Sequence, residues 1–570
     1  MRRLLPWLAP LLAAAVYLNT LGAGFTLDDV EIVRENPIVR SLQNLPRIFA
    51  TDYWNAWEYA DHTLYRPLTV TTYALQHAVH GAEPFGYHLV NVLLHALATG
   101  LLFLLLRDLF DLRTAVVAAA LFAVHTIHTE AVAGIVGRAE ILALAGTLTC
   151  CLAYFRAVRR RGHAAAWGAA SVAAYLTGAM SKETGIVAPA VILVTEALLP
   201  ARRHLLRGDR RAVGLFAGYA AAAAAFLALR ANAVSGRSVH SALAGLSAPE
   251  RIATALRSAA ESVGLLFAPV GLSADYPAAS VPPAQAFTEP GVLAAVVLIA
   301  LAAYMVVRGR SCYPAAAWGV AFFAVTFFPV SNLPFAIGVA KAERLLYAPS
   351  AGFLAAAAGL IVPLAAVRSR ERTVFGAVAA AVIVLAGLTW QRNLDWRDDC
   401  ALAEATVRTA PESPIFLTRL AACRKDAGRV DEARALLTRA MDAQPGFPTA
   451  LLTLGILERE QGNLQAALEP LERLLSREPD HVIALENAGW CWYRLQRFPE
   501  AADRYERLRS LRPENPGPYG YLLGAYVAMG NGERALELAA EAERRFPGNP
   551  EVTANAAQVR QALSGADAAE

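Results

Sequence analysis

Apolar runs, each about long enough to cross the hydrocarbon of a bilayer, recur from about residue 4 to residue 390 and then stop. A backbone inside lipid must satisfy its own amides, so runs of this kind leave room for little except membrane-spanning helices. Eleven spans are expected, at about 4–22, 86–106, 113–131, 139–157, 164–180, 184–200, 212–229, 290–307, 312–331, 347–367 and 373–390. The 570 residues are 56% hydrophobic and only 18% charged, a balance that an ordinary soluble chain of this length does not show. The expected fold is all-α: a polytopic helical bundle over 1–390, then a soluble tail.

Basic residues orient the spans, because short cytoplasmic loops carry excess Lys and Arg. Arg2 and Arg3 place the N-terminus inside. Inside loops then hold Arg107 and Arg113, Arg159 to Arg161, Arg202 to Arg211, Arg308 and Arg310, and Arg368 to Arg372. The tail emerges outside. Residues 252–270 are apolar but interrupted by Arg257 and Glu261, so an interfacial or re-entrant outer helix is expected there. The first span has the length of a signal peptide, but ten spans follow and no convincing cleavage pattern precedes Asp28; it is expected to be retained. The six cysteines form no C-x-x-C pair, so no disulfide framework or zinc site is expected, and those in the tail are expected to be small buried hydrophobes. The net charge of +4 comes mostly from the inside arginines and does not suggest a nucleic-acid partner.

In the tail, proline recurs at 411, 445, 479, 513 and 547, every 34 residues. Alanine keeps the step at 433, 467, 501 and 535, and glycine at 428, 462 and 530, with Gln496 in the remaining slot. This pattern resembles tetratricopeptide repeats. A connector and half repeat are expected over 391–411, four full repeats over 412–548, and a closing helix over 549–564 within the last segment, 549–570. Such arrays form an α-solenoid whose concave side binds extended peptide; packing or assembly is the bland alternative.

Two adjacent acids, Asp28 and Asp29, follow the first span at headgroup depth. An ionised carboxylate there suits a general base for an acceptor hydroxyl, while a helix cap or a solvated loop acid is the structural alternative. Arg66, in Tyr65-Arg66-Pro67-Leu68-Thr69, ends the same outer loop and is either a phosphate contact or an interfacial anchor. His88, Asn91 and His95 share one face of the second span, for hydrogen bonding or substrate. His125, His128 and Glu130 end the third span; they lack a clear fourth ligand, so a pocket lining is expected and not a metal site. Arg138 at the outer surface, followed by Glu140, suits phosphate. Lys182 and Glu183 form either a local ion pair or part of the site, and Asp275-Tyr276-Pro277 lies in the long outer loop. Glu343, Arg344 and Tyr347 open span ten after Lys341, with Arg344 and Tyr347 on one helical face. All of these fall on the outer side, which favours one outward-facing polar site.

Leu27-Asp28-Asp29, Tyr65 to Thr69, Gly86-Tyr87-His88-Leu89-Val90-Asn91, His125-x-x-His128-x-Glu130, Gly137-Arg138, Ser181-Lys182-Glu183, Asp275-Tyr276-Pro277 and Glu343-Arg344-x-x-Tyr347 occur in this order. The ordered set resembles the transmembrane and tetratricopeptide-repeat O-mannosyltransferases of the GT-C superfamily. The resemblance implies a GT-C-like bundle that transfers a sugar, mannose by analogy, from polyprenyl or dolichyl phosphate to Ser or Thr hydroxyls of an acceptor protein or peptide. It implies Asp28 as base, Asp29 as its helper, an inverting displacement, and no metal or other cofactor. Arg138, Lys182 and Arg344 are the candidates for positive charge on the leaving phosphate. Thr126 stands where relatives often have Pro. Alanine and arginine richness points to a bacterial inner membrane with site and repeats in the periplasm; a eukaryotic source would make it the endoplasmic reticulum membrane and lumen. Two alternatives are a transferase acting on a lipid or envelope glycan, and a non-enzymatic membrane-anchored adaptor lacking a cavity that joins Asp28 to Arg138 and Arg344.

Overall fold

The computed structural model of the protein describes residues 5–56, 63–159, 162–234, 243, 245–277, 280–366 and 368–566. Arg2, Arg3, Arg160 and Arg161 lie outside the described residues. Among the described residues the regular elements are all helical and no strand occurs. The chain divides into two compact units, Met1–Ala410 and Pro411–Glu570.

In the first unit each expected span falls on helix. Among the described residues six helices are long and apolar enough to cross a membrane, or seven if the bent pair Leu112–Val124 and Thr126–Ala133 is one span. Pro6–Gly22 and Pro314–Val330 are shorter apolar helices, and Ala164–Ser181 and Ala188–Leu198 occupy the expected fifth and sixth spans. The bundle packs through small residues. A Cβ on Gly319 would run into the backbone at Ala356, and one on Gly352 into that at Phe323, so Pro314–Phe327 and Tyr347–Leu364 touch backbone to backbone.

Two departures from the expected layout matter for the site. The 113–131 run is not one helix: it breaks at His125, which is extended, and bends by 53°. The break frees carbonyls, and other helices satisfy them. Thr389 donates to Val124 O at 2.7 Å, and where the following short helix ends Asn91 Nδ2 donates to Val132, Gly134 and Ile135 O at 3.1–3.3 Å. Second, Tyr65–Thr69 does not run directly into the second span, because the helix Pro67–His80 intervenes. Its Thr and Val content hid it; burying Val70, Tyr73 and Ala74 against the unit outweighs that weak propensity. The expected helix at 252–270 is present as Ala248–Phe267, opened by a Ser247–Glu250 capping box. Its Arg257 pairs with Glu289 at 3.1 Å and its Glu261 with Lys341 at 2.9 Å.

The second unit is four helix pairs and a closing helix. The pairs are Pro414–Asp426 with Val430–Ala443, Pro448–Glu460 with Leu464–Leu475, Val482–Arg494 with Phe498–Leu511, and Gly517–Ala528 with Gly532–Arg545. The closing helix runs over Pro550–Ala566, slightly past the expected end. Gly428, Gly462 and Gly530 make the turn inside three pairs with φ of +73°, +80° and +73°, and Gln496 adopts the same left-handed turn at +60°. Gly455 faces Leu471 across a helix crossing too close for a Cβ. One expectation about the tail fails: Cys400 and Cys423 are disulfide-bonded, whereas Cys150, Cys151, Cys312 and Cys491 are free.

Candidate active site

The loop after the first helix is tied down on both sides of Asp28. Gly24 N donates to Arg397 O at 2.8 Å, and Leu27 N to Asp399 Oδ1 at 2.9 Å. Asp29 is fully buried; its carboxylate accepts from Thr26 N at 3.2 Å, Thr26 Oγ1 at 3.3 Å and Val136 N at 2.8 Å. It staples the loop to the 134–137 turn. Burial pushes Asp29 up to about 7, against the amides of Val136, Ile135 and Thr26 and with a lesser push from Asp28. Asp28 differs. It is half-buried, and among the described residues its carboxylate has no hydrogen-bond partner. Its lone pairs are open to a ligand.

Three cations belong to one cluster, each anchored by its own carboxylate, and the charge of Asp28 acts on one of them, Arg344. Arg344 donates through its guanidinium to Glu130 Oε1 and through its amide to Oε2, the latter at 2.7 Å. Its side chain stays 36% exposed while that of Glu130 is 5% exposed. Lys182 pairs with Glu140 and both are buried; burial holds the ammonium below its usual range, with Glu140 opposing. Arg66 reaches Glu183 at 3.2 Å and lies 5.0 Å from the centre of the Tyr53 ring. Burial alone would raise Glu183, but Arg66 and the Tyr65 amide bring it below the ordinary carboxylate range. Lys182 and Glu183 are therefore not a local pair; they cross to partners on other helices. The charges of Asp28 and Glu140 follow Glu130 in acting on Arg344, and Arg66 and Arg344 both act on Lys182, so the groups form one electrostatic cluster.

The structure draws other candidates away from this cluster. Arg138 is completely buried, not at the outer surface. Its Nε donates to Asn91 Oδ1 at 2.7 Å, Nη1 to Thr72 at 3.0 Å and Nη2 to Tyr87 O at 2.9 Å, with Tyr73 stacked at 4.8 Å. Three of its donors are spent on the fold, which suits packing better than a phosphate. His88 meets Gly24 O at 3.1 Å and His95 meets Tyr347 Oη at 2.8 Å, so that face of the second span is structural. Arg344 and Tyr347 accordingly part: one turns to Glu130, the other into the core. The His125, His128 and Glu130 trio does not converge on a point. His125 bonds Leu266 O at 3.0 Å, His128 bonds Ser350 Oγ at 2.7 Å, and Glu130 holds Arg344. Glu343 is buried and accepts from Ser273 N at 2.5 Å and Tyr276 Oη at 3.0 Å, which joins the Asp275-Tyr276-Pro277 segment to the entrance of span ten.

Two participants escape a motif search. Tyr53 provides the ring under Arg66 and carries no motif of its own. Asp399 holds Leu27, and a signal for it exists: Asp398-Asp399 is an acidic doublet just after the last span, the same feature that marks Asp28-Asp29.

Residues 61–229 match the family model described as dolichyl-phosphate-mannose-protein mannosyltransferase, and 452–516 and 493–559 match two tetratricopeptide repeat models. The protein O-mannosyl-transferase Tmtc1 of Drosophila melanogaster is 29% identical over 539 residues, covering 78% of this chain and 62% of the relative. The protein O-mannosyl-transferase TMTC1 of Homo sapiens is 30% identical over 502 residues, covering 78% of this chain and 56% of the relative. Drosophila melanogaster Tmtc2 is 42% identical over 185 residues, 31% of this chain and 20% of that one. The chain thus spans less than two thirds of the length of these relatives. Among solved structures, a crystal structure of MamA protein shows 19% identity over 26% of this chain and 80% of that chain, with a TM-score of 0.24. The apolar helices and these relatives make the chain a multi-pass membrane protein.

Proposed function

We propose that this chain, a relative of the transmembrane and tetratricopeptide-repeat O-mannosyltransferases, moves a mannose from a polyprenyl phosphate to a Ser or Thr hydroxyl of a protein. One observation carries this reading: Asp28 is an open, half-buried carboxylate beside Arg344, a partly exposed guanidinium braced by Glu130. In the proposed step the acceptor hydroxyl gives its proton to Asp28 as its oxygen attacks the anomeric carbon. The bond from that carbon to the donor phosphate oxygen breaks with both electrons going to the phosphate, and the configuration inverts. The phosphate needs positive charge and little protonation. Arg344 supplies it first, having solvent-facing surface and the bidentate geometry that suits phosphate oxygens. Lys182 and Arg66, likewise paired with acids, are more buried than Arg344 and add charge at longer range. Asp29 orients the base through the loop. The scheme uses no metal.

The site is assigned to the extracytoplasmic side, periplasmic in a bacterium and lumenal in a eukaryote. The inside arginines support this, and so does the bonding of Cys400 and Cys423, since disulfides persist in oxidising compartments. The repeats are assigned to holding the acceptor peptide.

The test is transfer of labelled mannose from polyprenyl-phosphate mannose by purified protein. Asp28→Asn is expected to lower turnover by about 10²–10⁴-fold while the thermal midpoint stays put; full turnover in that variant removes the base. Transfer that survives removal of the repeats would point instead to a lipid or glycan acceptor. Mass spectrometry of envelope proteins with and without the gene then identifies sugar and acceptor together.

A further inference from the structure

Asp28 sits between two held neighbours. Asp29 is fastened by its own carboxylate to Thr26 and Val136. Leu27 is fastened from a distant part of the chain, by the 2.9 Å bond from its amide to Asp399 Oδ1 across 372 residues. Leu27 lies in the left-handed region, with φ of +50°, a conformation that a leucine rarely adopts without an outside hold. Asp399 is not needed as a helix cap. The helix Asp399–Thr409 is capped by Asp398, whose side chain accepts from Ala401 N at 2.7 Å. The neighbouring bond from Gly24 N to Arg397 O, at 2.8 Å, brings the same post-membrane segment against the same loop.

We infer that Asp399 is a positioning residue for the transfer: by accepting from the Leu27 amide it fixes the left-handed turn that aims the Asp28 carboxylate at the acceptor hydroxyl. The inference rests on Asp28 being the base. Asp399 touches no substrate and acts through Leu27. What it needs is an acceptor oxygen at that place, not a negative charge.

The experiment uses the full-length protein in detergent, tritiated dolichyl-phosphate mannose as donor and a threonine-containing peptide pool as acceptor. Asp399→Ala is expected to lower kcat by about 10²-fold, since a small misplacement of a reacting group costs that much, with donor KM little changed. Asp399→Asn keeps the acceptor oxygen and is expected to recover most of the kcat. Adding Leu27→Gly to Asp399→Ala is expected to recover part of it, because glycine takes a positive φ without help. A wild-type kcat in Asp399→Ala overturns the inference. So does an Asp399→Asn as slow as Asp399→Ala together with no recovery from Leu27→Gly, which would mean that the acid acts by charge or only props up the fold. If Asp399→Ala does not fold, Asp399→Val replaces it by keeping bulk without any acceptor, and a wild-type kcat there is equally fatal. Asp28→Asn, run beside them, separates the two ideas: its full activity sinks the base, whereas its inactivity beside a fully active Asp399→Ala sinks only the positioning.

Discussion

In the repeat unit Arg497 reaches Glu500 and Arg534 reaches Glu537, three residues along one helix, with side chains 32–60% exposed. In the membrane unit Lys182 pairs with Glu140 and Arg344 with Glu130, across 42 and 214 residues, and both acids are buried. The first kind of pair decorates helices that would form anyway. The second kind exists only once distant helices have met, and its desolvated partners become a liability if separated. The contrast separates charge that solubilises from charge that is placed.

Breaking a placed pair should show the largest stability effect. Lys182→Ala leaves Glu140 buried and unpaired, and is expected to cost about 3–5 kcal/mol, read as a fall in the thermal midpoint of the detergent-solubilised chain. An effect as small as that of an exposed pair would erase the distinction.

Asp29 sharpens the comparison through pH. Its folded value is raised from 3.8 to about 7 by burial, so between those values the folded chain keeps a proton that the unfolded chain releases. The sign follows: its contribution is full below about pH 4 and is lost as the pH climbs through about 7. Stability measured against pH should therefore fall more steeply in the native protein than in Asp29→Asn over that window; parallel curves contradict it.

In the repeats the expected effects are smaller. Gln496→Gly relieves a left-handed glutamine at some cost in chain entropy, and is expected to gain about 0.5 kcal/mol in urea unfolding. Arg507→Ala removes an ion pair with Asp480 in which both side chains are about half exposed, and is expected to change stability by about 0–1 kcal/mol. A larger loss would show that the solenoid too relies on placed charge.

Much of this architecture is legible in the residues, and the reason is repetition. The 34-residue step states the helix pair four times over, and even the slot that lacks glycine keeps its left-handed turn at Gln496. Apolar length likewise marks the membrane helices. What repetition does not state is partnership. Nothing along the chain says that Lys182 crosses to Glu140 while its neighbour Glu183 crosses to Arg66, or that Arg138 spends its donors on Asn91, Thr72 and Tyr87. The break at His125 hides inside a continuous apolar run because its cost is met by His95 and Thr389, which lie elsewhere. The bonded state of Cys400 and Cys423 hides for the same reason, there being no spacing motif to announce it. Which of the polar residues meet could not be read from the chain.

The seam between residues 16–27 and 390–399 sets an order of events in biogenesis. Asn393 holds Val16 O, Asn19 holds Trp390 O, Arg397 receives Gly24, and Asp399 receives Leu27. A nascent chain leaving the ribosome inserts its first helix long before those partners have been made. Asp29 can take its bonds to Thr26 and Val136 early, but the Leu27 side of the turn waits for the last membrane helix to bring Asp399, and a product truncated before it would lack that hold.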